Sequence, residues 1–382
     1  MTRRPEQGGT HVPYDRELIR SGGVSQTRPP HPDSRTPRRP SGRPSRDVPR
    51  RRRSSGGAIG ALLTVAVLGI VVVSGVLVLR AAAFNASVSS AVFPSTSLLG
   101  ALNGSERVNV LMVGYGGGEH GGAFLADSIQ VLSIDPDTDT TTMIPIPRDL
   151  WIEGVGSYDR SAKVNEVFST GNSAGGLDRA GSLLAEVLSE VTGLDIGHWL
   201  SIDFVGFSSM VDAVGGVTVD NPVAFAYTST EQQHAAGDWN VGSFEAGEIH
   251  FDGEQALAYS RARYTSVFSE ANDFARSVRQ ARILGALRHE IGDGGITSIV
   301  PGLRLMDAME GQVRTDLSAI DLALLSSHFA SDRRVELTEG PVLTATSSSN
   351  GAYILVPTGW SGPGDYGGLQ AYLANQLSTD AP

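Results

Sequence analysis

Ala180-Gly181-Ser182-Leu183-Leu184-Ala185-Glu186-Val187-Leu188-Ser189-Glu190-Val191-Thr192-Gly193, followed by His198-Trp199-Leu200-Ser201-Ile202-Asp203 and then by Phe204 to Val214, is the stretch that decides the fold. Ala180, Leu183, Leu184, Val187, Leu188 and Val191 recur at helical spacing, which predicts an amphipathic helix over Gly176–Gly193 with Gly193 as its stop. His198–Asp203 reads as a short strand, Phe204–Val214 as a helix and Val217–Asp220 as another short strand. Alternation of this kind predicts an α/β domain: a mixed central sheet with helices packed on both faces.

The pattern extends in both directions from there. Val108-Asn109-Val110-Leu111-Met112-Val113-Gly114 reads as a buried strand, and Ser128–Ile134 and Thr140–Ile146 as two more, joined by the turn Asp135-Pro136-Asp137-Thr138-Asp139. Residues 221–250 carry no clear period and read as an irregular rim or lid. Helical patterns resume at Gly253–Ser260, Asp273–Ile291, Leu303–Glu310 and Leu317–Phe329, and strand patterns at Arg334–Thr338 and Ala352–Val356.

Charge divides the 382-residue chain into unlike parts. Residues 1–57 hold fourteen Arg, nine Pro and seven Gly against five acidic residues, a balance of +9, and have almost no aliphatic periodicity. They read as a disordered basic arm. Such an arm suits anionic lipid or nonspecific nucleic-acid contact, or serves only to set topology, and no specific nucleic-acid partner is expected. Ala58–Leu79 is an uncharged run of 22 residues, long enough for one helical span, with Arg50-Arg51-Arg52-Arg53 on its N-terminal side. Positive-inside bias then predicts a transmembrane signal anchor over 58–80 in the cell membrane, the N-terminus cytoplasmic and residues 81–382 outside. Ala81-Ala82-Ala83 leaves open a cleaved signal peptide, against which stand the length of the apolar run and of the basic arm. Residues 81–104, rich in small and polar side chains, read as a linker, and 105–382 as the extracytoplasmic domain. No cysteine occurs, so this domain depends on its core for stability and has no thiolate with which to hold a metal.

From Arg80 onward fifteen Arg and one Lys face 36 acidic residues, yet five of those arginines fall between Arg261 and Arg282. Guanidinium groups at that density suit a multi-oxygen anion such as a pyrophosphate, and equally suit a helix face paired with surface carboxylates. The loop Tyr115-Gly116-Gly117-Gly118-Glu119-His120-Gly121-Gly122 allows close backbone approach to a ligand but lacks dinucleotide or P-loop spacing. No Gly-Xaa-Ser-Xaa-Gly elbow is present, and the histidines have no metal-ligand spacing.

Several motifs occur in order: Asn109–Gly114, Ala126-Asp127-Ser128-Ile129, Ile146-Pro147-Arg148-Asp149-Leu150, Lys163-Val164-Asn165-Glu166, Asp203-Phe204-Val205-Gly206-Phe207, Val211–Val217, Asp252–Arg263 and Asp273–Gln280. Together they resemble the LytR-CpsA-Psr family of bacterial envelope proteins over roughly residues 105–360. The resemblance implies a glycopolymer ligase that moves a cell-wall polymer from a polyprenyl-pyrophosphate carrier to a peptidoglycan hydroxyl, using Mg²⁺. By motif match it assigns Arg148, Arg261, Arg263 and Arg279 to the pyrophosphate, with a hydrogen bond from Gln280 and Lys163 within reach of the phosphates. Asp127, Arg148 and Arg263 are then the expected catalytic residues, and Asp127 the expected metal ligand. Where the family commonly has a second aspartate, this chain reads Gly114-Tyr115-Gly116. The ion is then held by Asp127 and the phosphates alone, or with Glu119 or His120 from the loop. Asp149 is expected to orient Arg148, and Asp273 to cap the helix that follows it. A polyprenyl tail needs an apolar groove, for which the helices Ala180–Val191 and Phe204–Val214 are candidates. A hydrolase of the same lipid pyrophosphate and a non-catalytic envelope or regulatory protein are the competing functions.

Overall fold

The computed structural model describes residues 78–89, 98, 102, 104, 106–119, 122–292, 299–325 and 333–378. All of them fall in the compact unit Leu62–Pro382. The basic arm, the apolar run from Ala58 to Leu77 and His120 lie outside these residues. Among the described residues no helix is long and apolar enough to cross a membrane.

The expected mixed sheet is present. Its strands are β1 (Val108–Tyr115), β2 (Ala126–Asp135), β3 (Thr140–Pro145), β4 (Ile196–Asp203), β5 (Val313–Thr315) and β6 (Arg333–Arg334), in the spatial order β5-β4-β1-β2-β3-β6. β1 pairs antiparallel with β2 and parallel with β4, β2 pairs antiparallel with β3, and β3 runs parallel to β6. The turn between β2 and β3 places Asp139 at φ 53°, which aspartate tolerates because its short side chain bonds locally.

Period-two alternation sends each strand's side chains to two separate cores. Leu111, Val113, Ile129 and Val131 pack with Leu184 and Leu188 of α1 (Val164–Thr192) on one face. Val110, Met112, Leu132 and Ile134 pack with Phe84, Val88 and Leu322 on the other. α1 is broken at Gly175–Gly176, so the predicted helix from Gly176 is its second half; the first, 164–174, has too many polar and small residues to show a stripe. α1 reaches the sheet at Gly181, where a Cβ would lie 2.1 Å from the Trp199 ring, so only glycine permits this approach.

A third core joins α2 (Phe204–Val214), α3 (Gly253–Arg261), α4 (Asp273–Gly292) and α5 (Ile299–Met309), the last through Leu305, with the ribbon Val217–Asn221/Gly247–Phe251. Two expectations need correction here. Residues 221–250 are not irregular: Phe225–Thr228 pairs with Gly242–Phe244 and with Tyr264–Thr265, and Glu231–Ala236 forms a short helix. These strands are too short, two to five residues, to impose a period. Residues 81–104 are not simply a linker either, because residues 78–88 are helical and Phe84, Val88 and Leu98 are buried in the core.

Candidate functional site

A cavity of about 1170 Å³ lies on the sheet face that α1 does not cover. Part of its wall is apolar, built from Phe84, Met112, Leu200, Leu284, Met306 and Ile320. Another part carries Asp127, Arg148, Arg261, Arg263, Arg276 and Gln280. The helix Ala180–Val191, expected as a possible groove wall, packs in the opposite core and takes no part in the lining. Phe204, Phe207 and Met210 of the other candidate helix do line it. Much of the apolar wall comes instead from helical residues 78–88, α4 and α5.

Asp127 owes its position to an irregularity in the sheet. Gly114 pairs with Ser128 and Tyr115 with Ala126, leaving Asp127 as the extra residue of a bulge, a device that re-aims a side chain away from the ladder. Arg148 follows β3 in a turn closed by Leu150 N–H donating to Pro147 O at 3.0 Å. Arg261 ends α3, whose start is fixed by a capping box between Asp252 and Gln255, and Ala262 at ψ 117° turns the chain so that Arg263 stands just before the short strand Tyr264–Thr265. The Arg261 guanidinium stacks 4.1 Å from the centre of the Phe204 ring.

Asp273 joins the cationic groups. Its carboxylate lies 3.4 Å from Arg148 Nε, 3.4 Å from Arg263 Nε and 3.1 Å from Arg276 Nη1. Burial alone raises its pKa, but Arg276, Arg148 and Arg263 together hold it below the ordinary aspartate value. The expected cap of α4 is therefore supplied by its neighbour: Ala275 N–H donates to Asn272 Oδ1 at 2.8 Å. Arg148 also lies 3.5 Å from Asp127 and 3.6 Å from Asp149. Gln280 accepts from Ser128 Oγ at 3.0 Å and donates to Ser260 O at 3.4 Å, tying the bulge to the end of α3.

Three expected site residues are elsewhere. Lys163 is engaged by Asp149, Nζ to Oδ1 2.5 Å, and is not on the cavity wall. Arg279 is wholly buried: Nε donates to Tyr259 O at 3.2 Å, Nη2 to Ala262 O, and Nη1 to the carbonyl of Glu270 and, at 2.5 Å, to its carboxylate. It holds in place the segment that carries Arg261 and Arg263, and does not face the cavity. Glu119 is exposed on the glycine loop, away from the lining. Arg276 takes the place that motif matching gave to Arg279. Nothing in the spacing separated them, since both lie on one helix.

Asp203, also on the cavity wall, had no assigned role. It caps α2 by accepting from Gly206 N–H at 2.7 Å, and burial, opposed by that hydrogen bond, raises its pKa. Among the described residues no group of three or more acidic or histidine side chains is gathered as for a metal. The described residues therefore do not form an all-protein cage. Asp127, whose side chain is 37% exposed, fits the habit of Mg²⁺ to take one or two carboxylates and complete its shell with phosphate oxygens and water.

A second, polar cleft of about 640 Å³ shares Asp127, Arg148, Arg263, Arg276 and Gln280 with the first cavity and continues past Arg334, Glu336 and Tyr353. The arginine tier thus lies between an apolar chamber and a polar one. This arrangement can bind a dense anion with an apolar tail on one side and admit a polar reactant from the other.

An apolar cavity bordered by a cluster of arginines on a mixed α/β sheet has the chemistry of an amphiphilic-anion site, and comparison gives the family to which that fold belongs. The model of the LytR_cpsA_psr family matches residues 80–359, and the protein belongs to that family. Over 230 residues it is 30% identical to the polyisoprenyl-teichoic acid–peptidoglycan teichoic acid transferase TagU of Oceanobacillus iheyensis, covering 60% of this chain and 64% of that protein. The same-named protein of Halalkalibacterium halodurans is 29% identical over 262 residues, 67% of this chain and 76% of its own. The crystal structure of Bacillus subtilis TagV superposes with a TM-score of 0.52 at 24% identity, over 72% of this chain and 98% of that one. A Streptococcus agalactiae protein gives 0.55 at 22% identity, over 75% and 91%. These structural likenesses establish the shared fold.

Proposed function

We propose that this protein transfers a glycopolymer from a polyprenyl-pyrophosphate carrier to a peptidoglycan hydroxyl, as a phosphotransferase anchored in the cell membrane by residues 58–80. One observation carries the reading: a single cavity joins an aliphatic chamber to a tier of four arginines, which matches a donor that is half hydrocarbon and half diphosphate. The names of the relatives, transferases of polyisoprenyl-linked teichoic acid, support it.

In this reading the polyprenyl tail lies along Phe84, Met112, Leu284 and Met306, and the pyrophosphate against Arg148, Arg261, Arg263 and Arg276. The acceptor hydroxyl approaches through the polar cleft. Its oxygen bonds to the sugar-bearing phosphorus, the bridging P–O bond breaks, and polyprenyl phosphate leaves while the hydroxyl proton passes to solvent. Negative charge grows on the bridging oxygen, where preorganised guanidinium donors stabilise it most. Asp127 would hold Mg²⁺ together with the donor phosphates, and the ion would supply further positive charge to their oxygens. Arg279 and Gln280 position the arginine-bearing segments.

The test uses the full chain in nanodiscs with a farnesyl-pyrophosphoryl oligosaccharide and peptidoglycan. Covalent attachment with release of farnesyl phosphate is expected. Cleavage of the donor without attachment would make the protein a hydrolase. No turnover with either would return it to a non-catalytic role.

A further inference from the structure

The segment between the two strands of the ribbon, together with the residues that follow α3, contributes a feature that lipid and pyrophosphate binding leave unused. Tyr264 follows Arg263 directly, and the Arg263 guanidinium carbon lies 5.5 Å from the centre of its ring. His234 lies 5.9 Å from Tyr264 and 5.4 Å from Trp239, centre to centre. A row of aromatic rings thus leads from the arginine tier to the surface. None of the three belongs to a hydrophobic core, and all are half-buried, whereas Phe225, Phe244 and Phe251 beneath them are buried. Tyr264 lines the large cavity together with Thr228, Ser229 and Val241, so the row starts at its rim and His234 and Trp239 continue it outside the lining.

Planar polar groups surround the rings. Thr228 Oγ1 donates to Gln233 Oε1 at 2.7 Å, Gln233 Nε2 lies 3.5 Å from Asn240 Oδ1, and Asn240 Nδ2 donates to Asp238 Oδ2 at 3.1 Å. Trp239 stands between Asp238 and Asn240. A pyranose presents a face of C–H bonds and an edge of hydroxyls, so it pairs with aromatic faces bordered by amides and carboxylates. A bare hydrocarbon would gain nothing from the polar border.

We infer that Trp239 and His234 form a saccharide subsite that takes the second and later sugars of the donor's polymer as they leave the arginine tier. The inference rests on the proposed function for the identity of the donor. The polymer is the donor's and not the acceptor's because the rim belongs to the cavity that would take the lipid. The polar cleft shares the arginine tier with it and contains none of the aromatic rim.

The experiment compares two donors on the full chain in nanodiscs: farnesyl-pyrophosphoryl-N-acetylglucosamine and farnesyl-pyrophosphoryl-chitotetraose. Trp239→Ala is expected to raise the ratio of the tetrasaccharide KM to the single-sugar KM about tenfold, an ordinary worth for one aromatic stacking contact, and Trp239→Phe to restore most of it. An unchanged ratio, or a rise in the KM for peptidoglycan alone, overturns the subsite. A second arm titrates free chitotetraose and reads saturation transfer from the protein to the sugar. Binding by the parent chain that is lost in Trp239→Ala supports the subsite even if neither donor is turned over, in which case it is the transferase reading that fails. Absence of binding together with an unchanged ratio removes the inference and leaves that reading intact.

Discussion

Arg276 and Arg279 stand one turn apart on α4 and belong to two differently built regions. Around Arg279 each guanidinium nitrogen donates a hydrogen bond, to Tyr259, Ala262 or Glu270, with its side chain 0% exposed. Around Arg276 the tier is underbonded: its ion pairs range from 3.1 to 3.6 Å, and Arg148 Nε and Asp273 Oδ1 make no hydrogen bond although buried. A buried polar atom without a partner is costly in a folded protein and is a mark of sites built for a ligand. The fully bonded arginine is a fastener, and in the proposed reading the loosely paired ones are those that meet the anion.

The sharpest way to break this contrast is to remove the fastener. Arg279→Ala leaves the Glu270 carboxylate and three carbonyls without their donor, and breaking a buried pair typically costs about 3–5 kcal/mol. Urea unfolding of a fragment beginning at residue 78 should record a loss of that size. A fragment beginning at 105 would lack the buried Phe84, Val88 and Leu98 and should be less stable from the outset. If Arg279→Ala unfolds at nearly the parent urea concentration, the clamp is not a fastener.

The tier should respond in the opposite sense. Arg148→Ala or Arg263→Ala is expected to lower transfer by about two to three decades, roughly 2–4 kcal/mol of transition-state stabilisation, with little change in the unfolding midpoint. Lysine at either position should recover only part, because the planar fork is lost. Unfolding on a par with Arg279→Ala would make these arginines structural partners of Asp273 and erase the distinction between the regions.

A smaller effect is expected at Asp127, the proposed metal ligand. Asp127→Asn preserves side-chain volume and removes a hard anionic ligand, so the Mg²⁺ concentration giving half-maximal transfer should rise about tenfold or more. Gly116 is not among the glycines with positive φ, so Gly116→Asp is compatible with its backbone and should lower that concentration. An unaltered Mg²⁺ titration in both variants would remove the ion from the proposed chemistry.

Most of the main sheet was legible because it rests on period: β1 to β4 and α2 to α4 lie within about two residues of where apolar spacing and caps put them. What was missed depends on tertiary placement. Helical residues 78–88 adjoin an apolar run and are followed by polar residues, so nothing local marks Phe84 and Val88 as core. In the motif stretch Asp273–Gln280 motif match assigned Arg279 and Gln280 to the pyrophosphate, whereas Arg276 and Gln280 are the ones that line the cavity. Arg276 and Arg279 both look like ligands in the sequence, and only the positions of Glu270 and Ala262 show which one faces inward. The bulge at Asp127 depends on the register between two strands that the sequence places but does not align, and the pairing of Asp273 with Arg148 joins segments more than a hundred residues apart.

The smallest predicted effect tests the tier through its central carboxylate. Asp273 has a folded pKa below its ordinary value, so folding favours its ionised form. The stability it contributes is therefore present above the unfolded aspartate pKa, about 3.9, and is lost as pH falls through the lower folded value. Asp273→Asn abolishes this titration. The stability difference between parent and variant should be constant from about pH 5 upward and should shrink progressively below about pH 4, as read from urea midpoints measured across that range. Bound pyrophosphate should shift the answer in an informative direction. A polyanion taking over Arg148, Arg263 and Arg276 draws them away from Asp273 and adds a like charge nearby, so the carboxylate's pKa should rise and the shrinkage should begin at higher pH. A pH profile that pyrophosphate leaves unchanged would mean that Asp273 keeps its arginines, and that the tier is not where the anion is held.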